Sequence, residues 1–256
     1  ERDMNVADGT FRVTDPEIPT KQHFVAEKVS VNYSFDDDKG DFLALQPEVP
    51  NFTFPQHRFR SNLSMGSYDR TTQNLNLKSR GDFDQAGYFE STNPAQEGLK
   101  FTTDQASYNL KEERIKLDGA DSIRVADAVI FPDQGGVVIG KDGKLEKLGT
   151  AVVVADTATR YHRVYDAQVE VLGGENYKGT GKHAYPVSSI EQEINFNKLF
   201  VDGGRSRGQT MIKEEENFFV TDRILFRDTV KMFAEKKYLY FGGQVKIQSD
   251  NPFFKD

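Results

Sequence analysis

Few of the residues able to do chemistry stand at spacings that would let them do it. The segment Phe35-Asp36-Asp37-Asp38-Lys39-Gly40-Asp41 sets Asp36 and Asp38 ahead of Gly40. A D-x-D-x-G turn gives a calcium ion some of the oxygen ligands it needs. The bidentate Glu that completes such a loop is missing, and an acidic β-turn uses the same residues. Asp36 and Asp38 are thus the metal candidates, for calcium, and no other cofactor is expected. The four histidines, His23, His57, His162 and His183, include no pair three to five residues apart, so no histidine metal motif is present.

The run Gly173-Gly-Glu-Asn-Tyr-Lys-Gly-Thr-Gly-Lys-His-Ala-Tyr-Pro186 suggests a phosphate loop but fails as one. A P-loop needs G-x-x-x-x-G-K-[ST] between strand and helix, and here Thr180 follows Gly179. Gly179 and Gly181 fit a strand that approaches its neighbour closely. Tyr177, His183 and Tyr185 in this run are the candidates for a polar cleft. The 40 acidic residues nominate no glycosidase pair. Gly203-Gly-Arg-Ser-Arg-Gly-Gln209 carries two arginines on a turn, a possible anion contact or a solvated tip. Nothing here amounts to an enzyme's constellation.

Composition narrows the classes further. The chain of 256 residues contains no Cys, which excludes disulfides, thiol nucleophiles and Cys-ligated zinc. Its net charge is −7, and its basic residues are dispersed, so nucleic acid is not an expected partner. No apolar run reaches the roughly 18 residues of a membrane-spanning helix. The first residue is Glu rather than Met, as in a mature form or a piece of a longer protein, so a missing signal peptide says little.

The elements that must position any site are strands. Hydrophobic residues make up only 37%, while Phe and Tyr number 20 and 10. That balance fits a layered β structure with much surface and large aromatics as filler. Period-2 alternation runs through Val25–Phe35, Thr150–Thr157, Asp166–Gly174 and Tyr238–Gln248, with Gly-rich or acidic turns between. Asp222–Lys237 fits both periods and is read as strand, because Thr229-Val230 favours extended backbone.

One pattern recurs. Met65–Ser79 and Gln105–Gly119 each hold a Tyr (Tyr68, Tyr108), a polar turn, and apolar positions seven and nine residues later: Leu75 and Leu77, then Ile115 and Leu117. Looser versions bring the total to about six. A lone hairpin of this kind is marginal in water, and stacking lets each apolar face bury against the next. The expected fold is all-β: stacked hairpins forming a jelly-roll or solenoid-like twisted sheet, with a Greek-key β-sandwich as the alternative. Residues 1–24 read as an extension or edge strand. Residues 25–248 read as one elongated domain, in two lobes dividing near 120–150, and 249–256 as a tail.

The small-x-Tyr-turn-x-Leu-x-Leu-x-Gly phrase resembles the repeat of the OstA-like (organic-solvent-tolerance, lipopolysaccharide-transport) family. Asp121–Ile139, Thr159–Pro186 and Ile194–Gly204 are similar to segments of large uncharacterised exported proteins of Bacteroidetes that contain such repeats. The resemblance implies a twisted V-shaped jelly roll and a periplasmic or cell-envelope location. It also implies lipid, lipopolysaccharide or neighbouring β modules as partners. Phe101, Tyr108, Ile115, Leu117, Val169 and Val171 are the candidates to line a groove. The expected function is a non-enzymatic structural or binding module. The alternative is a carbohydrate-binding or carbohydrate-active sandwich, with a tyrosine platform of Tyr161, Tyr177 or Tyr185.

Overall fold

The computed structural model describes residues 2–81, 86–133, 136–155, 162–184, 192–212, 218–220, 239–241 and 243–248. The described residues are all-β, with a 3-10 turn at Pro94–Gln96, and every registered strand pairing is antiparallel. The strands are β1 (Asp3–Thr14), β2 (Gln22–Ser34), β3 (Lys39–Ala44), β4 (Phe52–Phe54), β5 (Phe59–Ser61), β6 (Met65–Asp69), β7 (Asn74–Lys78), β8 (Tyr88–Ser91), β9 (Lys100–Thr102), β10 (Gln105–Asn109) and β11 (Arg114–Asp118). There follow β12 (Ile123–Val125), β13 (Ala128–Pro132), β14 (Gly136–Ile139), β15 (Leu148–Ala155), β16 (His162–Val171), β17 (Tyr177–Ala184), β18 (Glu193–Asp202), β19 (Arg205–Ile212), β20 (Phe218–Val220), β21 (Leu239–Phe241) and β22 (Gly243–Gln248).

The chain divides into two units. The first holds Glu1–Arg124, Phe131–Glu146 and Leu172–Gly174; the second holds Val125–Ile130, Lys147–Val171 and Glu175–Asp256.

The first unit is a two-layered roll in which successive hairpins alternate between layers. Layer one runs β1–β2–β3–β6–β7–β10–β11–β14. Layer two runs β2–β4–β5–β8–β9–β12. Strand β2 belongs to both: Val25 and Ala26 pair with β4, while Val29 to Ser34 pair with β3. Lys28, at φ 51°, marks the bend between the two stretches.

Registration turns the sequence repeat into continuous apolar rows. One inward row is Tyr33, Gly40, Tyr68, Leu75, Tyr108, Ile115 and Ile139. The next is Val31, Phe42, Gly66, Leu77, Ala106, Leu117 and Val137. Gly66 is required in its row, because a Cβ there would lie 2.0 Å from the Phe42 ring. Layer two answers with Phe24, Phe52, Phe54, Phe59, Phe89 and Phe101, all buried. The layers meet ring to ring: Phe42 lies 5.5 Å from Phe52, and Phe54 lies 5.8 Å from Tyr108, both edge-on. Such pairs add about 0.5–1.5 kcal/mol each beyond the area they bury.

The layer-one turns share one device. Ser34, Asp69 and Asn109 each accept, through the side-chain oxygen, the backbone N–H three residues on, at Asp37, Thr72 and Glu112. Each turn then places a residue at positive φ: Asp38, Gln73 and Glu113. The carbonyls of Asp38 and Gln73 accept Arg70 N–H and Leu110 N–H of the following turn, so the turns themselves form a ladder.

The second unit is plainer. Strands β15, β16, β17, β18 and β19 form a meander of mostly eight- to ten-residue strands, and β22 pairs with β19. Its buried residues are mainly Val and Ala, with Tyr177, Ile194, Phe196 and Leu199. Gly203 and Gly204, at φ 58° and 74°, make the tight turn from β18 to β19.

Candidate binding face

The expected groove residues are core residues. Phe101, Tyr108, Ile115, Leu117, Val169 and Val171 are each at most 4% exposed. Tyr108, Ile115 and Leu117 sit in the inward rows of layer one, with Tyr108 edge-on to Phe54 of the facing sheet; Phe101 packs on Phe59 and Phe89 in layer two, and Val169 and Val171 are buried on β16. Stacking needs these positions, and it also removes them from any external partner.

The open concavity lies on the opposite face of layer one. It has a volume of about 970 Å³ and crosses β1, β2, β3, β6, β7, β10 and β11. Because side chains alternate across a strand, the positions flanking the buried Val31–Leu117 row point outward and wall this trough. One wall is Asn5, Asn32, Asp41, Ser67, Asn76 and Ser107; the other is Ser30, Leu43, Met65, Lys78, Gln105 and Asp118. Six inter-strand gaps give a run of roughly 29 Å across the strands.

Among the described residues, the side chains of Asn5, Asn32, Asp41, Ser67, Asn76 and Ser107 make no hydrogen bond or ion pair within the protein. Several charged groups elsewhere on the first unit are paired: Asp38 with Arg70 at 2.8 Å, Glu90 with Arg60 at 2.8 Å, and Glu146 with Arg114 at 2.6 Å. Alternation alone forecasts that these six face solvent. Their alignment into one wall depends on pairings across hairpins, which the sequence does not display.

The calcium candidates each have another partner. Asp38 receives both Arg70 Nε and Nη2, a guanidinium that holds its carboxyl below the usual range, and Asp36 accepts the backbone N–H of Arg2. Among the described residues no group of three or more His, Asp or Glu side chains could hold a metal ion.

The polar-cleft candidates do not assemble either. Tyr177 is buried, and burial pushes its phenol up to about 12. His183 lies six residues along the same strand, its Nδ1 bonded to the Arg163 carbonyl and its ring near Phe196 and His162. Tyr185 and Tyr161 lie outside the described residues, as does the strand expected at Asp222–Lys237. Gly179 and Gly181 are needed for packing: a Cβ would meet Gln168 O at 2.3 Å and Val164 Cγ1 at 2.5 Å. In the Gly203–Gln209 turn, Arg205 and Arg207 face Asp127 and Asp202 at 3.9 and 3.8 Å.

One buried polar cluster has no sequence signature. His57, at the β4–β5 turn, bonds through Nε2 to the Glu113 carbonyl at 2.9 Å and sets its ring edge-on to Tyr108. It closes the turn ladder where no further hairpin supplies an N–H. Since Nε2 donates, Nδ1 is unprotonated, and burial holds the imidazole below its ordinary pKa. Lys141 and Lys21, each 2.6 Å from the Glu113 carboxylate, hold its pKa down at about 2. His23 bonds to the Tyr108 hydroxyl at 3.2 Å and faces Asp15 at 3.6 Å. Burial raises the Tyr108 phenol well above its ordinary value, and the residue is 1% exposed. The chain Asp15–His23–Tyr108 therefore has the order of a triad, with its hydroxyl sealed in the core.

No helix among the described residues is long and apolar enough to cross a membrane. Comparison with protein families, with curated proteins and with solved structures found no match to this chain.

Proposed function

We propose that the chain is a non-enzymatic structural and binding module of an exported cell-envelope protein, which holds an elongated partner on the outer face of its first layer. The observation that supports this reading is the trough: seven strands wide, open, and walled on one side by six polar side chains with no partner among the described residues. The layered interior acts as a frame that keeps the two walls in register. The OstA-like character of the repeat supports lipopolysaccharide as the partner, engaged by its polar portion. The trough sets Leu43 and Met65 among Asn, Ser and Gln side chains, so polar contacts recur along its whole length, which suits a polar polymer.

Titration of the isotope-labelled chain with lipopolysaccharide and, separately, with phosphocholine micelles tests the proposal by amide chemical shifts. Residues 30–32, 41–43, 65–67, 76–78 and 105–107 are expected to move with lipopolysaccharide. If both probes leave them still, or move only amides elsewhere, lipopolysaccharide is not the partner held on this face.

A second reading rests on β1. Among the described residues β2 is its registered strand neighbour, which leaves the other edge of a twelve-residue strand open to a neighbouring β module. Sedimentation at rising concentration tests it; a strict monomer with no edge-dependent association would set it aside for self-assembly.

A further inference from the structure

We infer that the trough is a glycan site, which takes a linear chain of neutral sugars laid across the strands. This inference rests on the binding-face reading above and names its ligand class.

The geometry calls for a polymer. Outward side chains recur once per strand, at the strand spacing of about 4.8 Å, over a run of roughly 29 Å. A ligand matched to that array repeats a polar group along its length. A peptide strand would seek a sheet edge, where backbone N–H and C=O are free, whereas this surface is a sheet face.

The chemistry selects hydroxyls. Asn and Ser side chains both donate and accept, which suits sugar hydroxyls that do the same. Five of the six residues in the first wall are of this kind. In the second wall, Leu43 and Met65 are register partners and form an apolar patch between Ser30 on one side and Lys78 and Gln105 on the other. A sugar ring has the same two-sided character, with C–H groups on its face and hydroxyls at its rim.

Charge removes the competing polymers. The walls carry Asp41 and Asp118 against Lys78 alone, and Asp118 is bonded to Lys116 at 2.9 Å. A nucleic acid or a phosphate-rich headgroup would find no surplus of positive charge along the trough.

The test uses the full chain and amide shift mapping with linear gluco-, manno-, xylo- and chito-oligosaccharides of increasing length. At least one series is expected to move the trough amides, with affinity rising with length and levelling once about 29 Å is spanned. Asn32→Ala with Asn76→Ala is expected to weaken that binding about tenfold or more, and Ser67→Arg to abolish it, with thermal unfolding unchanged. If no oligosaccharide moves the trough while lipopolysaccharide or phosphocholine micelles do, the glycan inference falls and the binding face stands. If nothing moves it, both fall. Oligosaccharide binding that survives Ser67→Arg lies elsewhere and overturns the inference.

Discussion

The two units solve the same problem with opposite materials. The first uses strands mostly of three to six residues and fills the gap between two layers with aromatic rings. The second uses mostly eight- to ten-residue strands, small Val and Ala side chains, and glycines that let neighbours approach closely. Short strands contribute little each, so their stability comes from rows that cross many of them. Long strands pair extensively one with the next, and their weak point is any atom added where backbones crowd. The lesson is that the first unit is sensitive to what is removed and the second to what is inserted.

The sharpest way to break this contrast is Phe54→Ala. Phe54 touches Phe24, Phe89 and Tyr108 at ring distances of 5.4, 5.4 and 5.8 Å, so its loss opens both layers. The expected cost is about 3–5 kcal/mol in urea unfolding. A cost below about 2 kcal/mol would mean that the layers do not depend on their rings.

In the second unit the reverse change is expected to hurt. Gly181→Ala places a Cβ 2.5 Å from Val164 Cγ1 and 3.1 Å from Ala167, with an expected cost of about 1–3 kcal/mol. Val164→Ala in the same chain should recover part of it. Strict additivity of the two changes would argue against the close approach as the cause.

The polar cluster in the first unit adds a pH signature. Glu113, at about 2 against an ordinary 4.5, contributes stability that is complete above 4.5 and lost as pH falls toward 2. After allowance for screening this amounts to about 2 kcal/mol. His57, held below 6.5, acts earlier: the unfolded chain takes the proton first, so stability begins to fall as pH drops below 6.5. Urea midpoints measured from about pH 7 to pH 3 should therefore decline in two steps. Glu113→Gln is expected to flatten the lower step, and His57→Gln, which keeps a donor for the Glu113 carbonyl, the upper one. A profile unchanged by either substitution would detach the cluster from stability.

The smallest effect concerns the turns. Gln73→Gly should stabilise by about 0.5–1 kcal/mol, because Gln73 holds a left-handed φ of 57° that Gly adopts freely. Glu113→Gly relieves the same strain at φ 50° but removes two ion pairs, and should come out destabilising. Equal outcomes at both sites would show that the Glu113 ion pairs contribute nothing.

Much of the fold is legible in the residues. Alternation gives the strands, and the Tyr-turn-Leu-x-Leu phrase gives hairpins whose Tyr68, Leu75, Tyr108 and Ile115 share one row. What the phrase does not carry is the layer between its copies. Tyr68 and Tyr108 stand 40 residues apart because β8 and β9 cross to the other sheet before the chain returns. Apolar spacing reports that a side chain is inward, not whether inward means a lumen or a packed interior. For that reason Phe101, Tyr108, Ile115 and Leu117 pass equally well for groove and core until the facing rings are placed. The trough is hidden for the complementary reason: Asn32, Ser67, Asn76 and Ser107 are ordinary solvent-side residues singly, and become a wall only through registers set by long-range pairing. The looser copies at 160–174 and 194–204 carry the right letters, but the strands they supply, β16 and β18, are long strands of the second unit.

The alternation of hairpins also makes the chain a gauge of length. The path returns to its starting sheet with its phase intact after 35 residues from Tyr33 to Tyr68 and after 40 from Tyr68 to Tyr108. Each increment lengthens the outer face by two strands, roughly 9.6 Å, and leaves both ends unaltered. Such a molecule can evolve its reach without redesigning its chemistry. Duplication of residues 69–108 should accordingly raise the chain length at which ligand affinity levels off, in one discrete step, while the affinity of short ligands stays where it was.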